Sequence, residues 1–306
     1  MSRFLEALRS GGVILMDGAM GTELQRAGLQ EGECAERWNL THPDRVREIH
    51  SSYGQAGSQC FLTNTFQSHP ALLRKYGLEV QLEVINQAAL ALARSVAGTH
   101  GFVLGDIGPF APNADDDEAV LRSIFRVARS LATADALLFE TCSHFSTFLI
   151  VNATRQFLTA FAKVPILVSF TFQRTADGTV ETFDGRDARF CAKSAQQAGV
   201  EALGVNCGRE ISMQDIKHII QDYRQETDLP LFARPNAGSP VRPNGHWNYP
   251  QTPGQMAARL PQLLEAGVSM IGGCCGTTPA HIAAFQPIVE HWNSQARKRK
   301  PRPLPG

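Results

Sequence analysis

Two adjacent cysteines, Cys274 and Cys275, lie within the glycine-rich stretch Ile271-Gly272-Gly273-Cys274-Cys275-Gly276-Thr277-Thr278-Pro279. Successive side chains of a regular strand point to opposite faces, so a strand alone could not bring both sulfurs to one metal ion. The flanking glycines can adopt backbone angles that other residues avoid, which would let the chain fold back. The stretch therefore predicts a strand, then a loop that presents two thiolates, then a helix.

A third cysteine, Cys207, follows a short apolar run and precedes a glycine in Gly204-Val205-Asn206-Cys207-Gly208. Three thiolates with one open position are typical of a catalytic zinc site, whereas a fourth protein ligand closes a structural site. Two other interpretations of the adjacent pair stay open. The two cysteines could pack as small hydrophobic residues, or they could form a strained vicinal disulfide.

Length and composition bound the class of protein. The 306 residues suffice for one large α/β domain, and 43% hydrophobic with 19% charged residues is typical of a soluble globular chain. Lys plus Arg equals Asp plus Glu at 29 each, so nothing indicates a nucleic-acid or anionic membrane partner. Arg3, Glu6 and Arg9 interrupt the apolar N-terminus, which argues against a signal peptide. Seven cysteines without a short-range framework fit a reducing compartment, so we expect a cytoplasmic protein.

Eight short apolar runs recur at intervals of 29 to 47 residues, with segments of helical period between them. This spacing suits repeated strand–helix units and a parallel sheet, and eight units predict an α/β fold of the (β/α)8 TIM barrel type. A doubly wound open sheet is the alternative. The runs are Val13–Met16, Cys60–Thr63, Phe102–Asp106, Ala136–Phe139, Ile166–Phe170, Ala202–Val205, Leu231–Ala233 and Val268–Ile271.

Helical patterning and end signals place the connecting elements. Asp187 is a candidate N-cap, and Gly199 and Gly267 come just after helical segments. Residues 1–295 are expected to form one barrel domain, and residues 296–306 a basic, proline-containing tail that is solvated or serves as a docking patch. The predicted helices include Pro43–Ala56, Leu78–Val96, Glu118–Leu131, Asp187–Ala198 and Ile211–Tyr223.

Polar residues follow the apolar runs, where barrels of this type build their active sites. Asp17 ends the first run, and Thr22-Glu23-Leu24-Gln25 is typical of a first helical turn, whose free N–H groups bind carboxylates. Asp17 and Glu140 could bind an ammonium group, so this rim could hold the zwitterionic head of an amino acid. Alternatively, Asp17 shapes a turn or caps a helix, and Glu140 forms a structural ion pair.

Seven motifs in order resemble the homocysteine S-methyltransferase family over roughly residues 5 to 290. This family includes the homocysteine-binding barrel of cobalamin-dependent methionine synthase, betaine–homocysteine methyltransferase and S-methylmethionine-dependent enzymes. The motifs are Asp17-Gly18-Ala19-Met20-Gly21-Thr22, Thr63-Asn64-Thr65-Phe66, Gly108-Pro109, Glu140-Thr141, Gly204-Val205-Asn206-Cys207, Pro235-Asn236-Ala237-Gly238 and Gly272-Gly273-Cys274-Cys275-Gly276.

The resemblance implies specific roles for these residues. It implies zinc on Cys207, Cys274 and Cys275, and Asn236 as a fourth ligand without substrate, although Asn236 could instead only shape a turn. It also implies ammonium binding by Asp17 and Glu140. The amides expected to receive the substrate carboxylate are those of Ala19, Met20, Gly21 and Thr22, and the cysteines not expected to bind metal are Cys34, Cys60, Cys142 and Cys191.

The implied reaction transfers a methyl group to homocysteine, giving methionine. A free thiol has a pKa of about 8.5, and coordination to zinc deprotonates it, which generates and orients a nucleophile. Chain length favours a small onium donor, S-methylmethionine or S-adenosylmethionine. Three alternatives stay open: a split system with a separate corrinoid protein, a zinc thiol alkyltransferase acting on another thiol, and a non-enzymatic zinc or redox module.

Aromatic side chains are candidates for the donor site, because aromatic faces attract a cation by about 0.5 to 2 kcal/mol. Phe66 and Phe110 could instead be pocket walls, and Trp247 and Tyr249 could instead anchor their loop. Trp247→Ala should raise the Michaelis constant for a sulfonium donor more than that for homocysteine. The candidates are Phe66, Phe110, Phe172, Trp247 and Tyr249.

Overall fold

The computed structural model describes residues 2–109, 117–160, 162–242 and 248–299. Eight parallel strands form one sheet, and its two outer strands meet through a bridge between Met16 and Cys60. The sheet is therefore a nearly closed barrel, and the predicted (β/α)8 TIM barrel is confirmed. In their order around the barrel, the strands are β1 Ile14–Leu15, β10 Val268–Ile271, β9 Leu231–Arg234, β8 Ala202–Asn206, β5 Ile166–Phe170, β4 Ala136–Cys142, β3 Phe102–Ile107 and β2 Cys60–Leu62.

The helices follow the predicted pattern with small shifts at their ends. The Asp187 side chain accepts from the Phe190 N–H at 2.7 Å, and Gly199 is left-handed after the same helix, as predicted. The helices are α1 Arg3–Arg9, α2 Gly21–Arg26, α3 Trp38–Thr41, α4 Pro43–Gln55, α5 Pro70–Lys75, α6 Leu82–Ala97, α7 Asp117–Ser130, α8 Thr147–Thr159, α9 Ala188–Ala198, α10 Met213–Glu226, α11 Pro253–Ala257, α12 Leu260–Glu265 and α13 Pro279–Arg299, with 3-10 turns at Ala35–Arg37 and Glu79–Gln81.

Two features depart from the expected outline. A two-stranded antiparallel hairpin, β6 Gln173–Arg174 with β7 Val180–Glu181, follows β5 and had no apolar run to predict it. Helix α13 continues to Arg299, through the first residues of the segment expected to be a tail. Residues 300–306 lie outside the described ranges.

The barrel interior is layered because alternate residues of each strand point inward. Its lower layers are apolar, and helix α1 closes the N-terminal end with Phe4 and Leu8, where the Phe4 ring packs edge-on against Phe102 at 5.3 Å. Two residues beyond this apolar cluster, three strands carry the charged residues Asp106, Glu140 and Arg234, and three others carry Gly18, Gly204 and Gly272. The cluster comprises Phe4, Leu8, Ile14, Met16, Cys60, Leu62, Phe102, Leu104, Ala136, Leu138, Leu167, Ala202, Phe232 and Met270.

None of the helices in the described ranges combines the length and the apolar composition of a membrane span.

Candidate active site

Three cysteine sulfurs meet at the C-terminal end of the barrel. The Sγ atoms of Cys207, Cys274 and Cys275 all lie within 4.8 Å of one another, and the three residues are half-buried. Cys207 directly follows β8, whereas Cys274 and Cys275 lie in the turn after β10. The remaining cysteines are buried outside this cluster: Cys34, Cys60, Cys142 and Cys191.

The backbone of both loops is specialised for this convergence. Cys207 adopts φ +57°, a left-handed conformation that is strained for a residue with a side chain. Gly276 also has positive φ, and a Cβ there would fall 2.1 Å from the ring of Tyr249. A Cβ on Gly273 would lie 2.3 Å from Thr277 Oγ1. Gly276 is therefore required for its backbone angle, and Gly273 is required because Thr277 packs closely against it.

Hydrogen bonds connect the last loop of the barrel to the first. The Thr277 hydroxyl donates to the Cys274 carbonyl at 2.7 Å and accepts from the Ala19 N–H at 3.1 Å. The buried Tyr53 hydroxyl lies 2.9 Å from the Ala19 carbonyl and 3.1 Å from that of Thr277. These contacts fix the cysteine turn against the loop after β1. Sequence reasoning missed Tyr53 because it lies within helix α4 and has no motif around it.

The three thiols share protons in a way that favours a metal. Hydrogen bonds from Cys274 and Cys275 lower the pKa of Cys207 to about 3, and the Asn236 amide supports this by donating to Cys207 Sγ at 3.5 Å. Donation to Cys207 in turn raises the pKa of Cys274 to about 11 and that of Cys275 further. A divalent cation bound by the cluster would replace the thiol protons, because cysteines that ligate a metal are deprotonated.

Asn236 offers a further ligand atom beside the cluster. Its Oδ1 is buried and has no hydrogen-bond partner in the described part of the chain. Buried acceptors are usually satisfied, so an orphaned oxygen on a side chain whose amide nitrogen contacts Cys207 Sγ fits a role in metal binding. The set of three sulfurs and one oxygen is chemically suited to a metal that prefers thiolates.

A buried amide holds the cluster from the side of Cys274. Asn206 Nδ2 lies 3.9 Å from Cys274 Sγ and donates to Thr141 Oγ1 at 2.8 Å. Its Oδ1 accepts from the Ser169 hydroxyl at 2.6 Å and from the Thr141 N–H at 3.1 Å. The network fixes the orientation of Asn206, a residue that sequence reasoning placed in a motif without assigning it a role.

An acidic pocket adjoins the thiols, with one arginine inside it. Arg234, which is 3% exposed, donates to Glu140, to Asp17 at 3.2 Å and to the Gly18 carbonyl at 3.1 Å. Burial raises the pKa of Asp17 and of Glu140 to about 7, and the guanidinium opposes both shifts. Burial would lower the pKa of Arg234, but Glu140 and Asp17 raise it. The predicted ammonium ligands are thus already paired with a cation.

Arg234 could have been found from the sequence. It comes directly after the apolar run of β9, just as Glu140 comes directly after the apolar run of β4. A charged residue in that position is expected at the barrel rim. The partner of Arg234 was not visible, because Asp17 and Glu140 lie 217 and 94 residues away in the chain.

The expected carboxylate-binding amides lie at the start of α2. The first intrahelical bond there runs from the Leu24 N–H to the Met20 carbonyl at 2.9 Å, so the N–H groups of Gly21 and Thr22 have no intrahelical acceptor. The Ala19 N–H differs because Thr277 already accepts it. The structure therefore brings these amides to the same rim and engages one of them internally.

The aromatic candidates separate into different environments. Phe172 is fully buried against Tyr223, with ring centroids 6.4 Å apart, so the expectation that it faces a donor pocket is wrong. Phe66 is half-buried, and its carbonyl accepts from the Gly108 N–H at 3.0 Å. Tyr249 packs against Gly276, the residue after Cys275, and burial and then Cys275 raise the pKa of its hydroxyl. Phe110 and Trp247 lie outside the described residues.

Comparisons with known proteins agree on one family. Residues 14–289 match the family model described as homocysteine S-methyltransferase. Methionine synthase of Mycobacterium tuberculosis (strain ATCC 25618 / H37Rv) is 33% identical over 294 residues, which cover 88% of this chain and 24% of that protein. The chain thus spans about a quarter of the length of the mycobacterial methionine synthases that it matches.

Relatives of similar length also match. Homocysteine S-methyltransferase of Escherichia coli (strain K12) is 32% identical over 306 residues, covering 90% of this chain and 94% of that protein. The metallated form of the homocysteine methyltransferase MmuM from Escherichia coli superposes with a TM-score of 0.75 at 30% identity, covering 92% of this chain and 99% of that one.

Proposed function

This chain belongs to the homocysteine S-methyltransferase family, and from that premise we propose that it transfers a methyl group to the thiolate of L-homocysteine, giving methionine. Zinc is the proposed cofactor, held by Cys207, Cys274 and Cys275, with Asn236 as the fourth ligand when substrate is absent. Zn–S distances of about 2.3 Å are expected. The methyl donor is proposed to be a small onium compound, S-methylmethionine or S-adenosylmethionine.

One observation carries this proposal, namely the convergence of three sulfurs on a single point at the C-terminal rim of the barrel. The sulfurs come from two loops separated by β9, and a left-handed Cys207 together with a glycine turn brings them together. Backbone strain of this kind persists where the surrounding structure enforces it and is common at functional sites. The metallated state of the related E. coli enzyme also supports a metal here.

The chain's own residues would position the acceptor for the reaction. Zinc, when bound, supplies the positive charge that keeps a substrate thiol deprotonated at neutral pH. Asn206 holds the Cys274 side of the cluster, and the Thr277 contacts fix the turn that carries Cys274 and Cys275. The acidic pocket beside the thiols would attract the ammonium group of the substrate, while the amides of Met20, Gly21 and Thr22 would receive its carboxylate.

The donor assignment is supported by one aromatic residue. Tyr249 packs against Gly276 and lies next to the thiols, where its ring would face a positively charged donor. A second candidate is the homocysteine-binding component of a split corrinoid system. The sequence identity supports it, because the chain is 33% identical to methionine synthase and 32% identical to the E. coli homocysteine S-methyltransferase.

A donor panel tests both candidates. Zinc-loaded protein is incubated with homocysteine and, in separate reactions, S-methylmethionine, S-adenosylmethionine or a methylcobalamin-loaded corrinoid protein, and methionine is followed by mass spectrometry. Methionine from an onium donor supports the main proposal, and methionine only from the corrinoid reaction supports the second. Cys207→Ala is the inactive control. Absence of methionine in every reaction would contradict homocysteine methylation.

A further inference from the structure

A closed ring of hydrogen bonds joins the cysteine turn to the loop after β9. The Ala237 N–H donates to the Cys275 carbonyl at 3.0 Å, and the Ala237 carbonyl accepts from the Gln251 N–H at 2.9 Å. The Gln251 carbonyl lies 3.0 Å from Nε2 of His281, near the start of helix α13. Thr278, just beyond Cys275 in the chain, completes the ring because its N–H lies 3.1 Å from Nδ1 of His281. The end of the loop and the cysteine turn therefore separate only if one of these bonds breaks.

The two ring nitrogens of His281 have different roles. A backbone N–H can only donate and a carbonyl can only accept, so Nδ1 accepts from the Thr278 N–H and Nε2 donates to the Gln251 carbonyl. Burial lowers the pKa of His281, which favours the neutral ring with its one donor and one acceptor. The bond to Thr278 is the half of a capping box in which the third helical residue binds the N-cap backbone. The bond to Gln251 has no part in the helix, so it attaches a separate segment to it.

The segment that His281 holds includes Tyr249. A Cβ on Gly276 would fall 2.1 Å from Cγ of Tyr249, so the aromatic ring lies directly on the cysteine turn. Before Tyr249, an antiparallel bridge joins Val241 and Asn248 through two N–H···O bonds of 2.8 Å. After Tyr249, Pro250 has no N–H to donate, and the next backbone bonds are those of Gln251. The position of the Tyr249 ring on the turn therefore depends on how Gln251 is held.

We propose that His281 is a positioning residue for the methyl donor: by donating to the Gln251 carbonyl, it holds Tyr249 on the cysteine turn and so sets the affinity for an onium compound. This inference rests on the proposed function, in which the Tyr249 ring faces a positively charged donor. His281 itself contacts neither donor nor metal, because Thr278 and Gln251 occupy its two nitrogens. Loss of the Nε2 bond would release the segment, and the attraction between ring and cation would weaken with their separation.

Two substitutions separate the two bonds of His281. His281→Asn places an amide oxygen near the position of Nδ1 and keeps an acceptor for Thr278, but its side chain is too short to reach Gln251. His281→Gln places an amide N–H near the position of Nε2 and keeps the donor to Gln251.

Steady-state kinetics of the zinc-loaded protein compare these variants, with homocysteine and, separately, S-methylmethionine or S-adenosylmethionine. His281→Asn should raise the Michaelis constant for the onium donor about tenfold, the effect of leaving one buried carbonyl without its donor, and that for homocysteine by less than about twofold. His281→Gln should stay within about threefold of the parent for both substrates. Zinc stoichiometry should be unchanged in both variants. His218→Asn, at an exposed ring on helix α10, is the matched control.

Hydrogen exchange follows the segment itself. The Gln251 amide should exchange at least about tenfold faster in His281→Asn and at the parent rate in His281→Gln, because only the first substitution removes the bond to the Gln251 carbonyl. If His281→Asn does not fold, exchange in the parent decides. A saturating onium donor should then slow the Gln251 amide more than homocysteine does, and an equal effect of the two substrates contradicts the inference.

The outcomes distinguish this inference from the proposed function. If the parent forms no methionine from either onium compound, the proposed donor fails and this inference fails with it. If the parent does turn over an onium donor, equal increases in the two Michaelis constants of His281→Asn, or equal effects of the Asn and Gln substitutions, overturn the role of His281 alone.

Discussion

At its N-terminal end the barrel interior is filled by Phe4 and Leu8 from helix α1 and by the first inward residues of the strands, all of them apolar. At its C-terminal end the same strands place Asp106, Glu140 and Arg234 in the interior, beside three cysteine sulfurs. The alternation of side chains is unchanged between the two ends. What changes is whether the inward positions carry hydrocarbon or charge.

The apolar N-terminal end of the barrel contributes mainly to stability, and the charged C-terminal end contributes mainly to binding and catalysis. Burial of each large apolar side chain at the lower end contributes about 1.5 to 3 kcal/mol to folding. At the upper end, desolvation of buried charges offsets much of what their ion pairs contribute. Substitutions at the N-terminal end should therefore change the free energy of unfolding and leave the three-cysteine cluster intact, whereas substitutions at the C-terminal end should change binding and catalysis.

Removing one thiol should have the largest effect. Cys207→Ala leaves two sulfurs and should abolish stoichiometric zinc and lower methionine formation by more than about a thousandfold, a barrier increase of at least about 4 kcal/mol. Zinc is measured by inductively coupled plasma mass spectrometry. Cys191→Ala, in helix α9 away from the cluster, should keep both zinc and activity. Full zinc occupancy in Cys207→Ala would remove Cys207 from the ligand set.

Removing the buried guanidinium should have the next largest effect. Arg234 lies at the C-terminal end, yet its loss should lower stability. Arg234→Met leaves Asp17 and Glu140 buried without their cation, so the free energy of unfolding should fall by about 4 kcal/mol. Urea denaturation measures this loss. Arg189→Met breaks an exposed pair with Asp222 and should change stability by less than about 1 kcal/mol. Similar losses in the two variants would show that the buried pairs contribute little.

Opening a cavity at the lower end should destabilise the chain without touching the site. Leu8→Ala removes a side chain that is 2% exposed, and the expected loss is about 3 kcal/mol in the free energy of unfolding. Zinc content and the Michaelis constant for homocysteine should match those of the parent at a temperature where both are folded. The exposed Leu149→Ala is the control. A changed Michaelis constant in Leu8→Ala would mean that the two ends are coupled.

The lower end was easier to predict than the upper one, for a physical reason. Each strand that is buried on both faces is a short apolar run, so all eight runs predicted strands, and helical periodicity located the main helices. Charged residues that end such runs, as Asp106 and Arg234 do, could also be assigned to the rim. Which of them touch depends on how distant strands are brought together, and spacing in the chain does not contain that information.

The site shows the same division between residue type and contact. The chemistry of Cys207, Cys274 and Cys275 follows from their type and from the glycines around them. The contacts of Tyr53 and Thr277 join segments 224 residues apart and have no local pattern. The sequence predicted that Asp17 and Glu140 bind an ammonium group. In the structure, Arg234 from a third strand forms ion pairs with both carboxylates.

The imidazole of His50 is a buried polar group that lies at neither end of the barrel interior. His50 in helix α4 is fully buried in the apolar layer between helix and barrel, with Phe61 edge-on at 6.3 Å. Neither ring nitrogen has a partner in the described part of the chain. Burial lowers the pKa of His50 to about 4 from its ordinary value of 6.5. The imidazole is therefore neutral in the folded protein at every pH above about 4.

This burial predicts a specific loss of stability in mild acid. Since the folded pKa lies below the unfolded one, the unfolded chain binds a proton first, and stability falls as the pH drops from 6.5 towards 4. Between pH 6.5 and pH 5 the loss due to His50 should be about 1.6 kcal/mol. The measurement is the difference in the free energy of unfolding between the parent and His50→Leu at each pH, which cancels the contributions of His69 and of the buried carboxylates. The difference should shift in favour of His50→Leu as the pH falls, and His69→Leu should show a shift of similar size, because burial and then Lys75 also lower the pKa of His69 to about 4. A difference that does not change with pH would mean that His50 is solvated or hydrogen-bonded, and that the apolar layer is not closed around it.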